Sequence, residues 1–214
     1  MFFGHLAFSI LAEFLLPEQP SLPLYIASGF IDIINGLFTA VGIDKISPNP
    51  DALPYTYFDL DFVDWDHSLL MVIVWSLVYA GILFFLKKSV KLSVASCLLV
   101  QMHFVCDILV HNKDLALYPY STVKIGFGLW GKLREGSWVM EILLSVLLMV
   151  IAKAEKKQWA VMASLFVVMS PWFASTKYAI SFPEPYRHIL VGLGIASGFI
   201  VPSLLLRRRK LKLD

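Results

Sequence analysis

The sequence predicts an all-α fold, a polytopic transmembrane helical bundle of about six to seven helices. Of the 214 residues, 58% are hydrophobic and only 16% are charged, whereas soluble domains have about 45–50% apolar and about 25% charged residues. The apolar residues fall into blocks of about 15–22 residues, which is the length that a helix needs to cross a bilayer. We therefore expect one integral membrane domain over residues 1–214.

Seven apolar segments are expected to be helical. They cover residues 2–16, 22–43, 67–86, 91–111, 137–154, 159–176 and 188–206. The first segment is short enough to be re-entrant or tilted, so the sequence leaves open whether it spans the bilayer. The helices with the candidate site lie within about residues 1–145, and additional C-terminal helices lie within about residues 159–206. Residues 44–66 and 112–136 form the two long connections.

Basic residues cluster after the third, fifth and seventh segments. The clusters are Lys87, Lys88 and Lys91, then Lys153, Lys156 and Lys157, and finally the run that begins at Arg207. Alternating helices place all three clusters on one side, and the positive-inside rule assigns that side and the C-terminus to the cytoplasm. The two long connections then face the non-cytoplasmic side. Because the net charge is only +2 and the basic residues sit at helix ends, nucleic acid is not an expected partner.

The fourth segment contains the motif HFVCDILVH, in which His103, Asp107 and His111 follow one another at i+4 spacing. Such residues share one face of a helix. Asp32 lies deep in the second segment, between Gly29 and Gly36, which allow close helix approach. Ionisable side chains within apolar helices are costly and need a partner or a function. A simpler interpretation, in which His111 marks the interface and the other two form a satisfied polar pair, is equally open.

Polar residues of other segments are expected at the same outward end. The candidate metal ligands are His5, Asp32, His67, His103, Asp107, His111 and Glu141. Mixed imidazole and carboxylate ligands suit zinc, with manganese or iron as alternatives. Seven candidates are too many for one tetrahedral ion and indicate two or three ions. Such a centre polarises a phosphoryl oxygen and generates hydroxide, which favours hydrolysis of a phosphate ester.

Three carboxylates are candidates for the catalytic base, namely Asp107, Asp32 and Asp66, and Asp66 is also placed to orient His67. Arg187 and His188 at the start of the seventh segment are candidate substrate contacts, with an interfacial anchor as the simpler interpretation.

The order of these motifs resembles the membrane-bound metal-dependent hydrolase family of YdjM-like bacterial proteins. The resemblance rests on His5, Asp32, the pair His67-Ser68, and His-x-x-x-Asp at His103 and Asp107, and it covers about residues 1–145. A more distant similarity is to the zinc phospholipase C and single-strand nuclease superfamily. There, His-x-x-x-Asp is followed by a His and a Glu, the positions of His111 and Glu141. The resemblance implies a bacterial inner-membrane location and an all-helical metal centre.

We therefore expect a metal-dependent phosphoesterase that acts on a lipid or lipid-linked headgroup at the non-cytoplasmic face. One alternative is a metal or proton transporter that uses His103, Asp107 and Asp32 as a relay. Another is a non-catalytic membrane scaffold in which these groups stabilise helix packing. The sequence leaves open the exact substrate, the metals, the choice of base and the oligomeric state.

Overall fold

A computed structural model describes residues 2–49, 58–133, 135–179 and 182–207. Helices dominate these residues, and two short antiparallel hairpins lie between them. The helices are α1 (Phe2–Leu15), α2 (Ser21–Ser28), α3 (Phe30–Ala40), α4 (Asp64–His67), α5 (Leu69–Lys87), α6 (Val90–Val110), α7 (Leu129–Leu133), α8 (Glu135–Ile151), α9 (Lys156–Ala179) and α10 (Tyr186–Leu206). The all-α prediction is confirmed, and each of the seven apolar segments is helical. The second segment is divided into α2 and α3. Most of the basic run that begins at Arg207 lies outside the described residues.

Three of these helices are long and apolar enough to cross a membrane, namely α5, α6 and α10. Helices α2 and α3 pass the same test only as a pair, and they are bent by 56° at Gly29. Helices α1 and α8 are apolar but shorter. Numerous large apolar side chains on α5, α6 and α10 are exposed, as expected of surfaces that face lipid.

Helices α5 and α6 form an antiparallel hairpin whose turn follows from two local features. Lys88 ends α5 in a left-handed conformation with φ of 53°, and its N–H donates to the carbonyl of Phe84. Ser89 then starts α6, because its hydroxyl accepts a hydrogen bond from the N–H of Leu92. The hairpin fixes the direction of α6, and with it the order of His103 and Asp107 along the bundle.

Glycine residues allow α3 and α10 to cross at close distance. A Cβ at Gly36 would lie 2.6 Å from the backbone nitrogen of Ala196 and closer still to the carbonyl oxygen of Gly192. At Gly29, a Cβ would overlap the ring of Phe199. The expectation that Gly29 and Gly36 permit close helix approach is therefore confirmed, and the contact holds the helix that carries Asp32.

The two long connections fold together over one end of the bundle. The first contains β1 (Lys45–Pro48) paired with β2 (Phe58–Phe62), and the second contains β3 (Leu115–Ala116) paired with β4 (Lys124–Ile125). Buried Asp64 joins them, because its carboxylate accepts hydrogen bonds from Lys124 Nζ at 2.6 Å and from the N–H of Tyr120 at 2.9 Å. This paired cap lies at the end of the bundle where α6 ends.

Candidate metal centre

Helix α6 supplies two neighbouring ligands at the centre of the site. His103 and Asp107 are one turn apart, and His103 Nε2 lies 2.9 Å from Asp107 Oδ2. The other nitrogen of His103, Nδ1, donates to the backbone carbonyl of Ser28 at 2.7 Å, just before the bend between α2 and α3. This bond fixes the ring and leaves only Nε2 to bind an ion. The i+4 spacing therefore gives the expected pair, and the Ser28 contact was not foreseen from the sequence.

Four side chains come together at separations that suit the ligands of a metal ion. Ligand atoms about 2.0–2.1 Å from zinc are about 3.3 Å apart in a tetrahedron. Asp32 Oδ1 lies 3.3 Å from His67 Nε2, and Asp32 Oδ2 lies 3.6 Å from His103 Nε2. Asp107 Oδ2 lies 3.8 Å from His67 Nε2 and 2.9 Å from His103 Nε2. We call Asp32, His67, His103 and Asp107 the four-residue cluster.

His5 of α1 approaches the opposite oxygen of Asp107. Its Nε2 lies 3.2 Å from Asp107 Oδ1, and its ring stacks on that of His103 with centroids 3.7 Å apart. His5, His103 and Asp107 make a second group with the spacing of metal ligands. His103 has one free nitrogen, which both groups include, and Asp107 presents Oδ1 to His5 and Oδ2 to His103.

Buried ring nitrogens in the site lack the hydrogen bonds that a protein interior normally provides. Among the described residues, His5 Nδ1, His5 Nε2 and His103 Nε2 have no partner in hydrogen-bonding geometry, although both histidines are about 1% exposed. Buried polar groups are nearly always satisfied, so such an exception needs an explanation. A bound cation explains it, because imidazole nitrogens and carboxylate oxygens together form the donor set of zinc.

Asp66 and Asp44 hold the His67 ring from behind. His67 Nδ1 donates to Asp66 Oδ2 at 2.7 Å, and Asn35 Nδ2 donates to Asp44 Oδ2 at 3.1 Å. Burial lowers the pKa of His67, but the adjacent Asp66 carboxylate and Asp32 outweigh it and hold that pKa well above its usual value. Burial and the neighbouring Asp66 raise the pKa of Asp44 to about 8, so Asp44 carries a proton at neutral pH that it can share with Asp66.

The placement of Asp66 is the one that an orienting carboxylate requires. Asp44 and Asn35 were not identified from the sequence. Asp44 follows an apolar helix and begins a connection rich in acids, which gives no sign that this side chain is fully buried.

Two of the predicted ligands, Glu141 and His111, lie near the centre but make contacts outside it. Glu141 Oε1 accepts hydrogen bonds from the N–H groups of Phe3 at 2.6 Å and Gly4 at 3.4 Å, so it caps α1 immediately before His5. His111 follows the last residue of α6, and its Nδ1 lies 3.1 Å from Asp114 Oδ1. Its ring centroid lies 6.2 Å from that of His67. Neither residue belongs to the two ligand groups found among the described residues.

The predicted substrate contacts lie at the first turn of α10. Arg187 Nη1 lies 3.4 Å from Glu184 Oε1, and His188 Nδ1 lies 3.8 Å from the same oxygen. Both residues therefore lie near one acid, Glu184, which is three positions before Arg187 and four before His188.

Comparison of this chain with protein-family models, curated proteins and solved structures gives no match.

Proposed function

We propose that this chain is a metal-dependent membrane hydrolase that cleaves a phosphoester of a lipid or lipid-linked headgroup. The observation that carries the proposal is the four-residue cluster, where side-chain oxygens and nitrogens from three separate parts of the chain lie 2.9–3.8 Å apart. Zinc fits these donors best, with manganese or iron as alternatives. The resemblance to YdjM-like hydrolases points to the same chemistry.

The burial of the ligands indicates where substrate and water enter. The side chain of Asp32 is 21% exposed, whereas those of His5, His67, His103 and Asp107 are at most 6% exposed. A divalent ion held by these residues would polarise a phosphoryl oxygen and lower the pKa of water. We assign to Asp32, the carboxylate at the opening, the acceptance of a proton from the attacking water. The water oxygen then bonds to phosphorus as the bond from phosphorus to the ester oxygen breaks, and Asp32 returns the proton to the leaving ester oxygen.

The other two carboxylates have different roles in this proposal. Asp107 contacts ligands on both sides and holds the charge of one or two ions in place. Asp66 faces away from the opening and keeps His67 in the tautomer whose Nε2 is free. Asp44 supports Asp66 in turn.

The site lies near one end of the apolar helices, so in this proposal a lipid substrate reaches it from one side of the membrane. The lysines Lys87, Lys88 and Lys91 lie at the opposite end of α5 and α6 from His67 and His111. The positive-inside rule supports a cytoplasmic position for these lysines and a non-cytoplasmic position for the site. A six- to seven-helix bundle with a cytoplasmic C-terminus, as in a bacterial inner membrane, is consistent with this arrangement.

A metal or proton transporter is the second candidate, and one buried cluster favours it. Glu13, near the other end of α1, accepts hydrogen bonds from Tyr25 Oη at 2.7 Å and from Gln158 Nε2 at 2.7 Å. Eight residues separate it from His5, which corresponds to about 12 Å along the helix. Polar side chains therefore occur at both ends of α1, as a relay would require.

Headgroup release by the purified full-length chain tests the proposal against these alternatives. Phospholipid vesicles with reconstituted protein and zinc or manganese should release a phosphate-bearing product, and His103→Ala should abolish this. His111→Ala is the matched control, because His111 is a neighbouring histidine outside both ligand groups, and it should retain most activity. Metal-dependent ion flux across the vesicles without headgroup release would instead favour the transporter. A folded protein with neither activity nor bound metal would favour the scaffold.

A further inference from the structure

A cavity of about 510 Å³ lies between the two residues that follow His111 and the loop that leads into α7. Its lining residues are Asn112, Lys113, Gly126, Phe127, Gly128, Gly131 and Lys132. The Gly128 N–H donates to the His111 carbonyl at 2.7 Å, and the Trp130 ring lies 4.4 Å from the His111 ring. The glycine loop that lines the cavity therefore contacts the backbone of His111, the residue that follows α6.

The lining of the cavity is basic. Lys113 and Lys132 both belong to it, and it includes no carboxylate. Among the side chains that the structure describes, neither lysine has an ion-pair partner. The acid nearest in sequence to Lys113, Asp114, faces His111 Nδ1 at 3.1 Å. Two ammonium groups beside one cavity favour an anion.

Glycine keeps the walls free of side chains. Gly126 has φ of 142° and Gly128 has φ of 70°, conformations that other residues rarely adopt. A Cβ at Gly126 would overlap the carbonyl of Asn112, and a Cβ at Gly131 would lie 3.3 Å from Asn112 Oδ1. The loop can therefore lie close against Asn112, so this wall of the cavity is formed by backbone.

The apolar part of the same loop indicates that the anion comes from a lipid. Phe127, which lines the cavity, is 60% exposed, and Tyr118 and Tyr120 of the same connection are 55% and 72% exposed. Aromatic side chains with this exposure are typical of the membrane interface at the level of the headgroups. A cavity with a basic wall and an exposed aromatic edge fits a headgroup better than a free ion.

We propose that this cavity binds a phosphate-bearing anionic group of a lipid headgroup. Its identification as a substrate subsite rests on the proposed function, and the binding itself does not. As a substrate subsite, the cavity would hold an anionic group other than the ester that is cleaved at the metal centre, so the substrate class is a lipid whose headgroup carries a second anionic group. Zwitterionic and neutral headgroups are excluded from this class.

Calorimetric titration of the full-length chain in neutral detergent tests the binding. The probes are dihexanoyl phosphatidic acid, dihexanoyl phosphatidylcholine and inorganic phosphate. The protein is Asp107→Asn in the presence of chelator, so that metal contributes nothing. We expect phosphatidic acid to bind, phosphatidylcholine not to bind, and Lys113→Ala or Lys132→Ala to weaken binding about tenfold. Lys45→Ala removes an exposed lysine of the other connection and should change nothing.

Each other outcome has a defined meaning. Unchanged affinity in both cavity variants, or an equal loss in Lys45→Ala, overturns the inference. Inorganic phosphate that binds as tightly as phosphatidic acid assigns the cavity to free phosphate and overturns the lipid headgroup. Lysine-dependent binding without any headgroup release by the wild-type enzyme supports the cavity and defeats the proposed function. Headgroup release whose KM is unaffected by both cavity variants defeats the cavity as a subsite and leaves the proposed function standing.

Discussion

Replacement of Asp66 by Asn should weaken metal binding without removing a ligand. Asp66 is fully buried and accepts a 2.7 Å hydrogen bond from His67 Nδ1, which is short enough to be charge-assisted. A hydrogen bond to a charged group contributes about 1.5–3 kcal/mol, and loss of such an orienting carboxylate typically lowers metal affinity about 10–100-fold. We therefore expect a zinc Kd about 10–100-fold higher, or about 1.4–2.7 kcal/mol less favourable.

Zinc titration of the detergent-purified protein against a fluorescent chelator measures this difference. Asp114→Asn is the matched control, because Asp114 makes the same type of contact to His111 Nδ1 at 3.1 Å. His111 lies outside both ligand groups, so this variant should change zinc affinity less than threefold, an estimate that follows from the loss of only a partly exposed contact. An equal loss in the two variants, or none in Asp66→Asn, would refute the assignment of His67 as the oriented ligand.

Three further predictions concern the contacts that hold the site. Gly36→Ala should cost about 1–3 kcal/mol of stability, because backbone atoms of α10 block the new methyl group, whereas Gly81→Ala faces open space. Denaturant unfolding in detergent should show a lower midpoint for the first variant only. Glu141→Ala should cost about 1–2 kcal/mol by removing the cap of α1, and faster amide exchange at the start of α1 would reveal it. Lys124→Met should cost about 2 kcal/mol by leaving buried Asp64 without its cation, and the additional change Asp64→Asn should recover part of that loss.

The sequence predicted the helices well, because long apolar blocks dominate their formation. It did not predict the bend at Gly29, since the residues on either side of that glycine are as apolar as those of a continuous span. The bend depends on a tertiary contact, the ring of Phe199 in α10, which occupies the space beside Gly29. The hairpins in the two long connections were also missed, and they depend on pairing between distant residues.

The i+4 pattern predicted the pair His103 and Asp107 and then failed to place the third residue with them. His111 is the residue after α6, with ψ of 145°, so helical spacing no longer sets its direction. Its position is determined by Asp114 instead. Glu141 shows the same limit, because a buried carboxylate near histidines can serve equally well as a helix cap, and only the position of the α1 backbone decides between the two roles.

The buried support behind His67 gave no signal in the sequence. Asn35 lies in the middle of the apolar helix α3 and Asp44 lies four residues after its end, positions where an amide and an acid usually face solvent or a neighbouring loop. Their burial follows from the way the first long connection returns to place Asp66 against Asp44, which is a long-range event. Deep acids and histidines could thus be identified from the sequence, but their partners could not.

Elemental mass spectrometry of the detergent-purified full-length chain tests the central claim most directly. Wild type, His103→Ala and His111→Ala are compared after dialysis with zinc and then against metal-free buffer. We expect about one tightly held zinc in wild type, with a second that is lost more readily, because His103 has one free nitrogen for two ligand groups. His103→Ala should retain none, and His111→Ala should retain the tight ion. Wild-type protein without stoichiometric metal, or His103→Ala with as much metal as wild type, would contradict the proposed centre.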